Sequence, residues 1–518
     1  MHVADAVVIG SGPNGLVAAN RLADAGWSVV VVESGDEPGG AARSGELIEP
    51  GFVNDSFSAF YPLGAASPAL RSLELERWGL VWRHGPLVLA HPASDGTCVV
   101  LSRDIDETAA SLDSFAAGDG DAWRGLFALW RRIRDPVLRG MVTPMPPVRS
   151  GAELTARLGP LGVLRLARLA VLPVRRFVRE HFRGEGAARL LAANALHSDL
   201  TPETALGGFF GFLLCALGQD VGYPVPEGGA GEVTRALVRR ARSRGVRVVT
   251  GARVARVIVR RNAAVGVRLA DGTELAAARA VVADVDAIAL YLSLLPRDAV
   301  PRSVLADLRR FDRDWATVKV DWTLDAAVPW THPDVRRAPV VHLTDSLDAL
   351  TVWASEIARG LVPARPFLLF GQYSMADPTR APDGRETAWA YSRVPQGVQV
   401  DVDAFATRME DEVEALAPGF RGRVRGRLVR GPAELAAENP NLVGGSIGGG
   451  TAQLHQAFVF RPVPGLGRPE TPVARLYLAS SSAHPGGGVH GGPGAIAARA
   501  AVMGARRRLR RPGAARSG

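Results

Sequence analysis

Residues Gly10-Ser11-Gly12-Pro13-Asn14-Gly15 directly follow the apolar run Ala6-Val7-Val8-Ile9, and these two stretches decide the fold. The first glycine of a Gly-x-Gly-x-x-Gly pattern permits a tight turn, the second lets the backbone approach a diphosphate, and the third lets a helix pack on its strand. Residues 14–25 continue with helical apolar spacing, and residues 28–32 form a second buried strand. The stretch therefore predicts a βαβ unit that holds a dinucleotide at the N-terminus of its helix.

Glu33 ends the second strand, 18 positions after Gly15. A carboxylate at this position accepts hydrogen bonds from both ribose hydroxyls of an adenosine, and it disfavours a 2'-phosphate. Up to this point FAD and NAD fit equally well. The following stretch, residues 37–44, matches an extended glycine-pair motif that recurs in flavoproteins, and it favours FAD. The cofactor-binding residues expected from this second motif are Gly39, Gly40, Ala41 and Arg43.

A third cofactor segment is predicted near the C-terminus. Residues 474–478 form an apolar strand, residues 486–494 are rich in glycine, and residues 495–505 form a helix of small residues. Consecutive glycines let backbone amides approach a flat ring, and the following helix N-terminus favours negative charge on a reduced flavin. A flexible loop is the alternative, but the flanking strand and helix disfavour it.

Together these motifs resemble the phytoene dehydrogenase and carotenoid oxidoreductase-like flavoproteins, within the wider amine-oxidase-like group. The resemblance covers nearly the whole chain. Its further motifs are residues 223–229, 251–254 and 377–382 and, most specifically, His484-Pro485-Gly486-Gly487-Gly488-Val489-His490-Gly491. The two histidines of the last motif place the chain nearer the phytoene dehydrogenase-like branch than the carotenoid desaturases themselves.

The resemblance implies an α/β fold with an α+β substrate region. A Rossmann-type FAD-binding domain, of the amine oxidase and glutathione reductase type, then carries an inserted substrate-binding domain. The backbone at Val254 is expected to meet the adenine. The loop that contains Pro485, Gly487, Gly488 and Val489 is expected to lie along the isoalloxazine ring and the ribityl chain.

The chain is long enough for two connected domains, because single cores stop growing at about 250 to 300 residues. Residues 231–244 predict a basic amphipathic helix, and residues 246–282 predict strands with a hairpin turn. The expected segments are residues 1–75, 221–300 and 451–505 for FAD binding, 76–220 for a partly helical cap, 301–450 for substrate binding and 506–518 for a basic tail.

Several other classes of protein are disfavoured by the sequence. Cys98 and Cys215, the only cysteines, are too far apart for a redox pair or a metal knuckle, so no metal site is expected. A second strand-glycine-helix unit for NAD(P)H is not visible. No run of about 18 apolar residues and no leader pattern occur, so we expect a cytoplasmic protein. The electron acceptor, the oligomeric state and protein partners stay open.

The net charge of +9 is concentrated in two arginine clusters. The first comprises Arg165, Arg168, Arg175, Arg176, Arg179 and Arg183, and the second comprises Arg506 to Arg508 with Arg510, Arg511 and Arg516. The helical spacing around residues 161–182 is typical of an interfacial helix, although Pro173 divides it. Peripheral membrane contact and an ordinary solvated basic face are both open. Nucleic acid is not an expected partner, because no interleaved aromatic array accompanies the arginines.

The expected reaction is transfer of hydride to flavin N5 from a hydrophobic, polyene or isoprenoid-like, small molecule. One side chain is needed to take the accompanying proton. The candidates are His490, His484 and Tyr373, with Tyr61, His197 and Asp199 as further ones. The alternatives are an FAD-dependent amine oxidase, a polyene isomerase, and a flavin-stabilised binding or scaffold protein without turnover.

Overall fold

The computed structural model describes residues 3–509 of the chain. Arg510, Arg511 and Arg516, which were assigned to the basic tail, lie outside the described residues. The strands are β1 (Val3–Ile9), β2 (Val29–Val32), β3 (Ser44–Gly45), β4 (Asn54–Asp55), β5 (Trp82–Arg83), β6 (Leu89–Pro92), β7 (Cys98–Leu101), β8 (Val225–Pro226), β9 (Arg247–Val249), β10 (Val254–Arg260), β11 (Ala263–Leu269), β12 (Glu274–Ala283), β13 (Ala316–Leu324), β14 (Val340–Leu343), β15 (Leu368–Gln372), β16 (Glu386–Val394), β17 (Val424–Arg430) and β18 (Leu476–Leu478).

The α-helices lie between these strands and after the last of them. They are α1 (Pro13–Asp24), α2 (Pro62–Ala66), α3 (Pro68–Arg71), α4 (Ile105–Asp113), α5 (Asp119–Met141), α6 (Val148–Val171), α7 (Val174–His181), α8 (Glu185–Ala195), α9 (Gly207–Val221), α10 (Gly231–Ser243), α11 (Ala287–Ala289), α12 (Arg302–Leu308), α13 (Leu347–Ala358), α14 (Val402–Leu416), α15 (Pro432–Glu438) and α16 (Gly492–Leu509).

The first sheet has the order β10-β11-β12-β1-β2-β9, with β18 paired to β12. Strands β1, β2, β9, β12 and β18 run parallel, and the four valines of β2 are all buried, as expected for a sheet that is covered on both faces. Helices α1 and α16 pack together on one face. The predicted βαβ unit is therefore present, and the carboxyl ends of these strands meet at one edge, where dinucleotides bind.

The second sheet has the order β17-β13-β16-β15-β14-β6-β7 and is largely antiparallel. Helix α14 covers one face, and helices α8 and α9 belong to the core on the other face. Strands β6 and β7 come from the expected cap segment, whereas β13 to β17 come from the expected substrate segment. One sheet thus joins the two segments.

Helices α6 and α7 are separate, because the backbone is extended at Leu172 and Pro173. This agrees with the division of the segment that we predicted from Pro173. Much of the first arginine cluster is paired with acids: Arg168 and Arg176 bind Glu180, and Arg175 binds Glu203. Within residues 3–509, no helix has both the length and the apolar character needed to cross a bilayer.

Candidate functional site

The glycine loop between β1 and α1 leaves no room for side chains. A Cβ on Gly10 would lie 2.6 Å from the Asp284 carbonyl oxygen, and Gly10 has a φ of +89°. A Cβ on Gly12 would lie 2.8 Å from Oδ2 of Asp284, and one on Gly15 would lie 2.2 Å from the Gly10 carbonyl oxygen. Helix α1 begins at Pro13, so its free N–H groups lie at this loop, as a diphosphate requires.

Glu33 lies at the carboxyl end of β2, half-buried beside the glycine loop. Its Oε2 accepts hydrogen bonds from the backbone N–H (2.8 Å) and the hydroxyl (2.7 Å) of Ser11, and its Oε1 accepts one from the N–H of Gly35 (2.9 Å). These bonds fix the carboxylate at the strand edge. The Ser34 hydroxyl also donates to Oε1, so each oxygen accepts one backbone N–H and one serine hydroxyl, and the hydroxyls of a ribose would take the places of the two serine hydroxyls.

The second motif folds directly onto the first. A Cβ on Gly40 would lie 3.0 Å from the Cα of Gly12, and Gly39 donates its N–H to the Ser11 carbonyl. Ala41 accepts the Ser58 hydroxyl at 2.6 Å. The Arg43 side chain donates to the carbonyls of Gly40 and Glu438. The two stretches singled out in the sequence therefore form one continuous surface.

Strand β10 begins at Val254, which is buried next to the same edge of the sheet. The segment that leads into β10 runs beside Glu33, because Ala252 donates its N–H to the Glu33 carbonyl at 2.7 Å. The residue expected at the adenine therefore lies near the residue expected at the ribose.

The C-terminal glycine loop packs against the N-terminal one. Helix α16 begins at Gly492, and a Cβ on Gly494 would lie 1.9 Å from the Asn14 carbonyl oxygen. Gly488 and Val489 have φ values of +119° and +49°, and Pro485 contacts the start of α16. All three motifs meet at the N-termini of α1 and α16, an arrangement that fits a bound FAD.

A second glycine-rich loop, residues 446–451, was not predicted from the sequence. It lies against the C-terminal glycine loop that contains Gly487. A Cβ on Gly487 would lie 3.0 Å from the Gly448 carbonyl oxygen. The Asp314 carboxylate accepts the N–H groups of Ile447 (3.0 Å) and Gly448 (2.9 Å), and the buried Arg461 guanidinium donates to carbonyls of the same loop. The loop is thus held on both sides by charged side chains.

Asp284 is a further residue that sequence reasoning missed. It follows β12, is buried, and accepts the N–H of Gly15 at 2.8 Å. Burial raises the pKa of Asp284 to about 7, and the nearby Glu33 carboxylate adds to the rise. An acid therefore lies beneath the loop where a diphosphate would bind.

His490 is enclosed by its own loop. Its Nδ1 accepts the N–H of Gly492 at 3.0 Å, and its Nε2 lies 3.1 Å from the Gly487 carbonyl, which fixes a neutral tautomer with the proton on Nε2. Burial lowers the pKa of His490 to about 4. Both ring nitrogens are occupied, so this geometry favours a role in holding the loop.

The two other catalytic candidates are more enclosed than expected. Burial lowers the pKa of His484 to about 4, and among residues 3–509 neither of its ring nitrogens has a hydrogen-bond partner. Tyr373 is fully buried, its ring centroid lies 4.0 Å from the Arg380 guanidinium carbon, and burial raises its pKa. Of the further candidates, Tyr61 contacts Ser58 and Asp199 accepts the N–H of Ala452.

Lys319 is another residue near the FAD motifs that was not among the candidates predicted from the sequence. It lies on β13, is buried, and its Nζ donates to Asp321 and to the Asp55 carbonyl (3.1 Å). Asp55 in turn accepts the hydroxyl of Ser44, at the end of the second FAD motif. Burial lowers the pKa of Lys319 to about 8. The sequence held a signal, because Lys319 is the only lysine in the chain.

Aromatic side chains continue the surface beside Lys319. Its Nζ lies 5.9 Å from the centroid of Trp389, which stacks on Tyr391 with centroids 5.9 Å apart and planes 6° apart. Phe60 lies 6.1 Å from Trp389 and Tyr373 lies 6.4 Å from it. The face of the second sheet nearest the FAD motifs is thus aromatic.

Comparisons with known proteins support one family. A family model described as flavin containing amine oxidoreductase matches residues 14–318. A rat protein named pyridine nucleotide-disulfide oxidoreductase domain-containing protein 2 is 28% identical, over 95% of this chain and 92% of its own. Hydroxyneurosporene desaturase from Cereibacter sphaeroides is 27% identical, over 93% of this chain and 94% of its own. The structure of cyclohexylamine oxidase from Brevibacterium oxydans has a TM-score of 0.61 at 18% identity, covering 98% of this chain and 100% of its own.

Proposed function

Because the chain belongs to the flavin containing amine oxidoreductase family, we propose that it is a desaturase or dehydrogenase that takes hydride from an apolar substrate. The predicted cofactor, FAD, the predicted fold and the predicted class, an FAD-dependent oxidoreductase, are confirmed. What we propose beyond this class is that the substrate is apolar. The observation that carries it is the aromatic face of Trp389 and Tyr391 beside the FAD motifs.

Two of the carboxylates near this face, Asp321 and Asp314, already have cationic partners, which supports an uncharged substrate. Asp321 binds both Lys319 and Arg430, and Asp314 lies 3.4 Å from Arg393. A protonated amine would have to displace one of these partners, and breaking a buried ion pair costs about 3 to 5 kcal/mol. An apolar chain needs no such exchange. The relative named hydroxyneurosporene desaturase supports the same class of substrate.

The roles of the predicted cofactor residues follow from their positions. We assign the diphosphate to Gly10 through Gly15, the ribose to Glu33, the adenine to the backbone at Val254, and the ring to the loop of residues 485–489. Gly39, Gly40, Ala41 and Arg43 complete the surface. FAD, when bound, supplies the acceptor for hydride.

Lys319 is assigned the proton that leaves the substrate, in preference to His490, His484 and Tyr373. Two of its three N–H groups are used by Asp321 and by the Asp55 carbonyl, which leaves one position on the nitrogen. A pKa near 8 lets the amine gain and lose a proton near neutral pH, whereas an arginine stays charged. Lys319 is also the only lysine in a chain whose other permanently basic side chains are arginines, which supports this assignment.

Peripheral membrane contact is a further part of the proposal. Leu161 and Leu164 on α6 are 59% and 66% exposed, next to Arg165, so α6 presents an apolar surface with a basic flank. Sedimentation with anionic phospholipid vesicles tests this contact. Leu161→Glu with Leu164→Glu should abolish binding, and unchanged binding of this variant would exclude α6 as the contact.

The function is tested by the visible spectrum of the purified holoenzyme without oxygen. Apolar polyenes and amines are added separately, and loss of flavin absorption is followed. Bleaching by a polyene alone supports the proposal, and bleaching by an amine alone assigns amine oxidation instead. Bound FAD that neither class bleaches would favour isomerase or scaffold roles.

A further inference from the structure

One row of side chains crosses the second sheet away from Lys319. Lys319 lies directly opposite Tyr391 on β16, Tyr391 lies opposite Leu369 on β15, and Leu369 lies opposite His342 on β14. Directly opposite residues of neighbouring strands project from the same face of a sheet. Adjacent strands are about 4.8 Å apart, so His342 lies about 14 Å from Lys319 along the row.

His197, which follows α8, covers the far end of this row. Its Nε2 lies 3.1 Å from Nε2 of His342, so one nitrogen carries the proton and the other accepts it. Burial lowers the pKa of His197 to about 3 and that of His342 well below its ordinary value. The two rings are therefore a neutral pair at ordinary pH.

Ring nitrogens at and beside this pair have no hydrogen-bond partner in the part of the chain that the structure describes. Among residues 3–509, Nδ1 of His342 has no hydrogen-bond partner, and neither has Nδ1 of the adjacent His91. His197 is partly accessible as a residue, and of its two ring nitrogens only Nε2 takes part in a hydrogen bond within the described chain. Buried polar atoms are nearly always paired in native proteins, so unpaired nitrogens at one place need a reason.

Arg393 is a charged side chain next to His197, and it has hydrogen-bond partners within the protein. Arg393 donates to the hydroxyl of Thr317 (2.9 Å) and to the His197 carbonyl (3.1 Å), and it faces Asp314. Nη1 and Nη2 of its guanidinium are thus committed to the protein, while its buried Nε has no hydrogen-bond partner among residues 3–509. A neutral imidazole pair suits a neutral oxygen, which can either donate or accept a hydrogen bond.

We propose that His197, held in place by its bond to the fully buried His342, forms the end wall of the substrate site and binds a hydroxyl or carbonyl oxygen at the end of the substrate far from the flavin. The substrate is then an elongated apolar alcohol, aldehyde or ketone whose oxygen lies about 14 Å from the position of Lys319. This inference rests on the proposed function, because it describes the same site. It adds a specificity that an aromatic face alone does not provide.

Farnesol and farnesene, which share a carbon skeleton, are the probes; farnesene lacks the terminal hydroxyl and has one more double bond. Each is titrated into the anaerobic holoenzyme, and its dissociation constant is read from the perturbation of the flavin absorption band. Farnesol should bind at least tenfold more tightly than farnesene. In His197→Phe, which keeps a ring but removes both nitrogens, the two constants should agree within twofold, with that of farnesene unchanged.

Two further variants sharpen the test. His197→Gln retains a donor and an acceptor and should restore part of the preference for farnesol. His455→Phe, a change at an exposed histidine, should keep the full preference. Equal binding of both probes to the wild-type protein would overturn the inference and leave the proposed function intact. If neither probe perturbs the flavin, the apolar-substrate proposal fails as well.

Discussion

The backbone N–H of Gly15 donates a 2.8 Å hydrogen bond to Oδ2 of Asp284, so an acidic side chain lies directly beneath the glycine loop. Burial and Glu33 raise the pKa of Asp284 from 3.8 to about 7, while its bonds with Gly15 and Asn14 oppose the rise. A bound diphosphate adds negative charge and favours the protonated acid further. Ionisation of Asp284 therefore works against both folding and FAD binding.

FAD affinity should fall as pH rises through about 7. In the free protein Asp284 ionises as pH passes about 7, whereas a bound diphosphate holds it protonated to higher pH, so affinity for FAD is lost over this range. Calorimetric titration of the apoprotein with FAD between pH 6 and 9 measures this loss. Asp284→Asn should show no dependence on pH, and a wild-type affinity that is flat over this range would contradict the assignment.

Gly12→Val should abolish FAD retention, because its side chain would overlap the Asp284 carboxylate and the space for the diphosphate. Flavin content per protein, measured by absorbance after gel filtration, checks this. The matched control is Gly151→Val, since a Cβ at Gly151 meets nothing within 4 Å. Full flavin occupancy in Gly12→Val would remove the loop from the cofactor site.

Glu33→Ala should weaken FAD binding by about 1.5 to 3 kcal/mol, the range for a hydrogen bond to a charged group. Glu33→Gln keeps one acceptor and should lose less. Titration of the apoproteins with FAD compares the two variants. Equal losses in both would show that the charge matters, and not the number of acceptors.

Lys319→Met and Lys319→Arg should each reduce the rate of flavin reduction by about 100-fold or more, within the range expected for loss of a proton-transfer group. FAD content should stay unchanged. Stopped-flow measurement with a substrate that bleaches the wild-type flavin should show a wild-type rate that increases as pH passes about 8, where the amine becomes neutral. A Lys319→Met rate with the same pH profile would exclude Lys319 as the proton acceptor.

His490→Ala should lower turnover while FAD remains bound, because it leaves the Gly492 N–H and the Gly487 carbonyl without partners. The expected loss of stability is about 1 to 3 kcal/mol per unpaired buried group. Thermal unfolding and the pH profile of flavin reduction separate the two roles. A reduced rate with an unchanged profile indicates positioning, whereas loss of an ionisation from the profile indicates proton transfer.

The sequence predicts those parts of the fold that depend on residues close together in the chain. The βαβ unit, the helix after Gly491 and the division at Pro173 each depend on neighbouring residues. The pairing of His342 with His197 depends on strand register and on a helix far away in sequence, and the ion pair of Glu180 with Arg168 depends on how α6 meets α7. Neither follows from spacing. Lys319 is an intermediate case, because its uniqueness was visible but its burial was not.

The contact of Gly494 with Asn14 has a consequence for biosynthesis. The two residues lie 480 positions apart, so the ribosome must synthesise all of the intervening chain before this contact can form. Proteins whose contacts are far apart in sequence fold slowly, and nascent chains fold their N-terminal parts first. The flavin site can therefore be completed only after the segment that carries Gly494 has left the ribosome.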